Sequence, residues 1–345
     1  MTACQTIKQI TGENIATGYG IATHYYNILN GIVPQNAVGF CSIMDYLAMR
    51  LCHITKPITH TSVAASFGLF DVEKERFMLD KLSKLGIDEA FLPKVIASDE
   101  AVGRWNGIPV CVAIGDNQAS FLGSVKNNRE SLLVNIGTGS QISAVGEIEN
   151  TGEGIECRPF INGERLVCGS ALCGGSAYAM IEGFFRSYAA FSGLGNSSQY
   201  GVINALAEKA YESGENTLSV DTSFCGTRTE PTRRGSIENI ELNNFTPSAL
   251  VLGVINGMCD ELYNLYLAGK LKKSHIVASG GAVRKNHILR RVLEDKFGMA
   301  VSVNSVKEEA ATGAALFSAC AVGMIKYENG FSEYIDYASK EDEKI

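Results

Sequence analysis

Two short apolar runs in this chain each stop at a glycine followed by a polar residue, and that punctuation limits the fold more than any other feature. Ile108 to Ile114 reads as a β-rich run that stops at Gly115-Asp116, and Leu132 to Ile136 as a second that stops at Gly137-Thr138-Gly139-Ser140. The polar groups therefore fall at the carboxyl ends of buried strands, where open α/β sheets bind ligands. A third run, Ile276-Val277-Ala278, passes into Ser279-Gly280-Gly281-Ala282.

Helical patterns alternate with these strands. Cys41 to Cys52 reads as a helix with Ile43, Tyr46, Leu47 and Leu51 on one side, and Val72 to Leu85 as another, with Asp71 as its N-cap and Gly86 as its stop. A helix through Met180 and Phe184 begins at Gly175. Leu250, Val251, Val254, Ile255, Met258, Leu262 and Leu265 predict a long amphipathic helix started at Thr246-Pro247. Asn286 to Phe297 reads as a helix ending at Gly298, Ala300 to Val303 as a short strand, and Glu308 to Val322 as a small-residue helix able to approach a neighbour closely. The alternation makes this an α/β protein. A boundary is expected near Lys126 to Glu130, and the charged tail Lys340 to Ile345 reads as a frayed end.

With 345 residues, 46% of them apolar, the chain can bury a large core, and its length favours two domains. A net charge of -7 argues against a general nucleic-acid or membrane-surface binder, since either needs a basic face; a small-molecule partner is expected. The ten cysteines, Cys111, Cys157, Cys168 and Cys173 among them, form no CxxC pair and read as reduced thiols of a cytoplasmic protein. Neither a signal peptide nor a membrane-length apolar run is visible. His24, His53, His60, His275 and His287 form no HxxxH or HxxE pattern, so no metal held by protein side chains alone is expected.

Each glycine turn has two readings. Gly137-Thr138-Gly139-Ser140 leaves backbone N–H groups uncovered and adds hydroxyls, which suits phosphate oxygens, but alone it is equally a tight turn between strands. The dinucleotide loop GxGxxG is disfavoured, because its third glycine falls on Ile142 and no helix start follows. Asp116 is a carboxylate that can take a proton from a sugar hydroxyl attacking phosphorus, or a loop aspartate that caps the next turn. Ser279-Gly280-Gly281-Ala282 can pass a flat base over bare backbone at a helix start, or simply turn the chain closely from strand to helix.

The order acidic loop, phosphate turn, late Gly-Gly turn resembles the FGGY carbohydrate kinases, which share the actin, hexokinase and Hsp70 ATPase fold. The resemblance is carried by Gly115-Asp116-Asn117-Gln118, by Gly137-Thr138-Gly139, and by Gly280-Gly281 with Asn286. TGYGIAT (Thr17 to Thr23), AASFGLFD (Ala64 to Asp71), CGGSAYAMIEGFF (Cys173 to Phe185) and GTRTEPTRRGSI (Gly226 to Ile237) extend it over nearly the whole chain. Within the family the match is closest to members that phosphorylate sedoheptulose.

The resemblance implies a ribonuclease H-like α/β architecture of two domains with the first incomplete: residues 1–126 as a partial N-terminal domain and 127–345 as the C-terminal nucleotide-binding domain. It implies transfer of phosphate from ATP, with Mg²⁺, to a terminal hydroxyl of a ketose, sedoheptulose giving its 7-phosphate. Asp116 is then the catalytic base and, with Tyr19 and Gln118, a sugar contact, while Gly137, Thr138, Gly139, Gly175, Gly280, Gly281 and Asn286 hold the nucleotide. Tyr19, flanked by Gly18 and Gly20, is as easily a packing residue, and Gln118 as easily a solvated loop amide. The family pattern departs at Lys285, where relatives often present a polar residue to adenine, and at the start, where no Asp-x-Gly-Thr phosphate loop is found. The expected consequence is exposed apolar surface and strand edge in the first domain. Two alternatives stay open: a nucleotide-binding fragment without turnover, and a kinase for another ketose or polyol such as xylulose.

Overall fold

In the computed structural model, which describes residues 2–147, 152–214, 218–328 and 330–338, the run after Glu130 forms the strand Ser131–Ile136, with every side chain but Asn135 buried. Such a strand has no solvent face and must be covered on both sides. It pairs in parallel with His275–Ser279, from Ser131 opposite His275 to Asn135 opposite Ser279, and antiparallel with Ser140–Val145. The sheet has six strands in the order Ala300–Val303, His275–Ser279, Ser131–Ile136, Ser140–Val145, Arg165–Ala171, Ile155–Pro159. The chain divides into two units: Met1–Gly123 with Cys157–Leu166 and Glu308–Phe331, and Ser124–Glu156 with Val167–Lys307 and Ser332–Ile345.

The second unit gains its helices where the sequence spacing puts them. Pro247–Ala268 starts at Thr246, whose hydroxyl accepts from the Ala249 amide at 3.1 Å, and it buries Val251, Val254, Ile255, Met258 and Leu262. His287–Phe297 is capped by the Asn286 side chain, which accepts from the Leu289 amide at 3.0 Å, and it ends on Gly298 in the left-handed region. Ile288, Leu289, Val292 and Leu293 lie buried along it. Each fully buried aliphatic side chain of this kind stabilises the fold by about 1.5–3 kcal/mol.

The first unit is built on a core that includes Ile7, Ile21, Tyr25, Phe67, Phe70, Phe77 and Leu82. It holds a two-stranded parallel pair, Ile58–His60 with Lys94–Ile96. The helix Asp116–Leu122 buries Phe121 and Leu122 and lies against the helix Glu309–Ala321. The approach is close because Gly313 has no side chain: a Cβ there would stand well inside van der Waals contact with the Ala119 carbonyl oxygen. The small-residue pattern of Glu308 to Val322 is thereby explained as a helix-to-helix contact.

Three local expectations are corrected. Ile108 to Ile114 is not a buried strand running to Gly115: only Ile108–Cys111 is extended, it pairs antiparallel with Ala101–Trp105 alone, and Ile108 is 60% exposed, since a two-stranded ribbon cannot bury both faces. Val72 to Leu85 is not one helix: Phe70–Asp71 and Arg76–Phe77 pair antiparallel, and only Leu79–Lys84 is helical. The Asp71 carboxylate accepts from the Lys74 amide at 3.0 Å, so the expected helix cap instead closes a tight turn, which competes locally with helix formation. The helix Ile43–Leu51 forms, but with its apolar side outward. Ile43 is 79% and Leu47 58% exposed, whereas Asp45 and Ala48 are buried. Burial pushes the Asp45 carboxyl above the usual carboxylate range. Leu29, Ile32 and Val38 are likewise exposed in this unit. The charged tail lies outside the described residues.

Candidate functional site

The strongest convergence of expected residues is within the second unit. A cavity of about 720 Å³ is lined by Gly137, Thr138, Gly175, Gly281 and Asn286, which come from three separate parts of the sequence. Part of its polar lining is the turn between Ser131–Ile136 and Ser140–Val145. That turn interlocks with the turn before the helix Gly175–Phe191: the Gly174 amide donates to the Thr138 carbonyl at 2.9 Å and the Gly175 amide to the Gly137 carbonyl at 2.8 Å. The Ser176 hydroxyl adds a bond to the Thr138 carbonyl at 2.9 Å. A Cβ on Gly174 would lie 2.5 Å from Gly139 backbone and one on Gly175 2.6 Å from the Gly137 oxygen, so both glycines are required by contact rather than by flexibility. With those carbonyls occupied, the rim presents the Thr138 side chain and the positive end of a 17-residue helix dipole to the cavity.

Gly280 shapes the opposite wall. Its φ is +95°, and a Cβ there would stand 2.4 Å from the Ile136 carbonyl oxygen, so the position excludes any side chain. It lets the strand His275–Ser279 turn sharply into the short helix Gly281–Lys285, while Asn135 donates to the Ser279 hydroxyl at 2.8 Å and ties the two strand ends together. Gly139 and Gly280 thus form the backbone of the walls, and Gly137, Thr138 and Gly281 face the space.

Much of the remaining lining is apolar and aromatic, and here the structure adds residues that the sequence did not single out for the site: Tyr178, Tyr200, Asn204, Ile255 and Met258. Tyr178 donates to the Asn204 side-chain oxygen at 2.7 Å, and the Tyr178 and Tyr200 rings stand 6.1 Å apart. Burial raises the Tyr178 phenol above its ordinary value and keeps it a neutral donor. Asn286, 5% exposed, also reaches Asn204, at 3.5 Å. Tyr178 is on the same helix as Gly175, one turn on, and that spacing is the signal that could have found it. Tyr200 and Asn204 open a helix in a stretch with no distinguishing motif. Lys285 lines the cavity.

Asp116, Gln118 and Tyr19 belong to the first unit. Asp116 is the exposed first residue of its helix, and its carboxylate accepts from the Asn117 amide at 2.7 Å. Gln118 is buried, not a solvated amide: its NH₂ donates to the Pro159 carbonyl at 3.0 Å. Tyr19 is the N-cap residue of Gly20–Leu29 and packs against the hydrophobic core of this unit.

Behind Asp116 lies a buried polar chain. The Gly115 amide donates to the Ser62 hydroxyl at 3.1 Å, that hydroxyl meets His60 Nδ1 at 2.7 Å, and the Ser62 amide also donates to Nδ1 at 3.2 Å. Nδ1 is therefore an acceptor and the ring proton sits on Nε2. Nε2 faces Asp99 at 3.7 Å, yet the two do not make an ion pair. Burial holds His60 down to about 4 and pushes Asp99 up to about 6, so both are neutral between those values.

Among the described residues no three His, Cys, Asp or Glu side chains come together as a metal site. Mg²⁺ is commonly held through substrate phosphates and one or two carboxylates. Also among the described residues, no helix is long and apolar enough to cross a membrane.

The mixed sheet with glycine turns at its strand ends and a cavity beside its helices has the architecture of the actin, hexokinase and Hsp70 fold. Comparison with known proteins narrows it. Residues 158–322 match the C-terminal domain of the FGGY family of carbohydrate kinases, and the chain has the fold of that family. The chain is 26% identical over 324 residues to the sedoheptulokinase of Mus musculus, covering 88% of this chain and 67% of the relative. A gluconate kinase from Lactobacillus acidophilus superimposes with a TM-score of 0.82 at 18% identity, and a xylulose kinase from the same organism with 0.80 at 17%; each covers 97% of this chain and 70% of the other.

Proposed function

We propose that this protein is an ATP-dependent carbohydrate kinase of the FGGY type that phosphorylates a terminal hydroxyl of a ketose or polyol. The observation that carries the reading is the cavity of the second unit, where Gly137, Thr138, Gly175, Gly281 and Asn286 converge although they are far apart in the sequence. Its lining is of two kinds, as a nucleotide needs: a hydroxyl and a helix N-terminus, and two tyrosine rings with aliphatic side chains. Phosphates belong at the first, where a positive dipole end offsets their charge, and the base at the second.

Asp116 takes the proton from the attacking sugar hydroxyl, a role suited to an exposed carboxylate on the first turn of a helix held in place by Gly313, Gln118 and Ser62. Thr138 orients the transferring phosphate, and a Mg²⁺ ion carried in on the nucleotide would supply the positive charge that the transfer needs. The remainder of the work is positioning, which suits phosphoryl transfer. Among sugars, sedoheptulose is one candidate, supported by the Mus musculus relative; xylulose and gluconate have equal standing from the solved structures of similar fold.

The test is ADP release from purified protein with MgATP and a panel of sedoheptulose, xylulose, gluconate and glycerol. One sugar should raise turnover well above the rest, and Asp116→Asn should remove that turnover by about 100-fold or more while leaving nucleotide affinity intact. Nucleotide binding without turnover on any sugar would reduce the protein to a nucleotide-binding module.

A further inference from the structure

All ten cysteines are free, and Cys225 alone among them is exposed. Its thiol lies within hydrogen-bonding reach of the Cys173 thiol, which is buried and meets the Ser176 hydroxyl at 3.2 Å. Neither thiol sits on loose chain. Cys225 is the third residue of a turn closed by the Gly226 amide on the Ser223 carbonyl at 3.0 Å. The loop that carries this turn is tied at its base: Asp221 and Ser236 exchange backbone hydrogen bonds at 2.9 and 3.2 Å, and the Arg233 guanidinium donates twice to the Asp221 carboxylate, at 3.1 and 2.7 Å. Thr222 ties the same loop to the helix Pro247–Ala268, its hydroxyl donating to the Glu261 carboxylate at 3.3 Å.

Cys173 immediately precedes the glycine turn that borders the cavity. Its neighbour Gly174 donates to the Thr138 carbonyl at 2.9 Å, and a Cβ on Gly174 would stand 2.5 Å from Gly139, so the backbone there has no slack. Ser176 lines the cavity and gives its one hydroxyl proton to that same carbonyl at 2.9 Å. The Cys173 S–H is therefore the donor in its contact with Ser176. Burial pushes the Cys173 thiol up, which keeps it protonated and slow towards oxidants, so the exposed Cys225 is the point of entry.

We infer that Cys173 and Cys225 close to a reversible disulfide by exchange with a small disulfide such as oxidised glutathione, and that closure weakens nucleotide binding in the adjoining cavity. The second half rests on the nucleotide reading of that cavity. The Cys225 thiolate attacks one sulfur of the small disulfide, which leaves a mixed disulfide and releases one thiol. The Cys173 sulfur, giving its proton to water, then attacks the Cys225 sulfur and expels the second small thiol. Two protein thiols are oxidised while one small disulfide is reduced to two thiols. The new bond draws the two sulfurs to about 2 Å and removes the Cys173 S–H. Its pull falls on the backbone beside Gly174, and the Ser176 hydroxyl loses its donor, so the lining at Thr138 and Ser176 is displaced.

Purified protein equilibrated in mixtures of reduced and oxidised glutathione, then alkylated and digested with trypsin, should yield two peptides joined through Cys173 and Cys225. The joined pair should be absent from Cys225→Ser. The same samples are titrated with a fluorescent ATP analogue. Affinity should fall by about tenfold or more on oxidation and recover with dithiothreitol. In Cys225→Ser, a substitution outside the cavity lining, it should match the reduced parent and ignore oxidation. A cooperative melt equal to the parent's shows that the variant is folded; should it fail, Cys225→Ala takes its place. A parent without the joined peptides overturns the disulfide. Joined peptides with unchanged affinity overturn its control of the cavity. A reduced parent that binds no nucleotide refutes the reading of the cavity and that control with it, while the peptides still decide the disulfide.

Discussion

Ser62→Ala removes one oxygen that holds the turn before Asp116. In the parent the Ser62 hydroxyl is the acceptor for the buried Gly115 amide at 3.1 Å and contacts His60 Nδ1 at 2.7 Å. The two losses are unequal. His60 Nδ1 keeps the Ser62 amide at 3.2 Å, so it remains satisfied. The Gly115 amide is left in a buried site with nothing to replace the oxygen, since alanine keeps only the Cβ that serine already has. An orphaned buried donor costs about 1–3 kcal/mol, and that is the expected loss of stability in the first unit. Trp105, the one tryptophan of the chain, lies in the same unit, so its fluorescence in a urea titration reads that loss directly. The same freedom loosens Asp116, one residue on. In the kinase assay kcat should fall and KM for the sugar rise, while KM for ATP stays constant, because the nucleotide cavity is in the other unit. A variant within about 0.5 kcal/mol of the parent and with unchanged kcat would refute the reasoning, since surface-like substitutions lie in that range.

His60 and Asp99 make a pH prediction of definite sign. With His60 near 4 and Asp99 near 6, the folded state between those values holds one proton on Asp99, while the unfolded state holds one on histidine, so the pair contributes no slope. Asp99→Asn leaves only the depressed histidine, and stability should then fall by about 1.4 kcal/mol for each pH unit as pH drops from 6 towards 4. His60→Asn leaves only the raised carboxyl, and stability should rise as pH drops over the same window; urea midpoints at several pH values decide. Gly280→Ala places a methyl 2.4 Å from the Ile136 oxygen in a left-handed backbone. It should weaken nucleotide binding at least tenfold in a fluorescent-nucleotide titration and lower the melting temperature; unchanged affinity would show that this turn does not shape the cavity.

What could be read before folding was whatever depends on neighbours in sequence. The strand Ser131–Ile136 is an unbroken buried run, the helix Pro247–Ala268 has both a cap and a 3.6-residue repeat, and His287–Phe297 is bracketed by Asn286 and Gly298. Each states its own conformation locally. The glycine turns of the cavity were visible for the same reason, because glycine marks backbone that must bend or be approached. The helix Ile43–Leu51 marks where that logic ends. Its pattern names an apolar side but cannot say which side meets a neighbour, and the structure buries Asp45 instead. At Val72 to Leu85 an aspartate that could cap a helix closes a hairpin turn, a choice settled by what Phe70 and Phe77 pack against.

Sequence alone determined the strands Ser131–Ile136 and His275–Ser279 and the glycine turns that follow them, and it marked Asp116 and Thr138 as the residues to which the proposed chemistry is given. Only the tertiary structure decided that Tyr178, Tyr200 and Asn204 share a cavity with those turns, and that Ser62 and His60 stand behind Asp116. Local conformation is governed by dihedral preference and short-range hydrogen bonds, which a linear pattern records. Which side chains meet across long separations in sequence depends on how sheet register and helix packing close around them, and no single stretch of the chain contains that information.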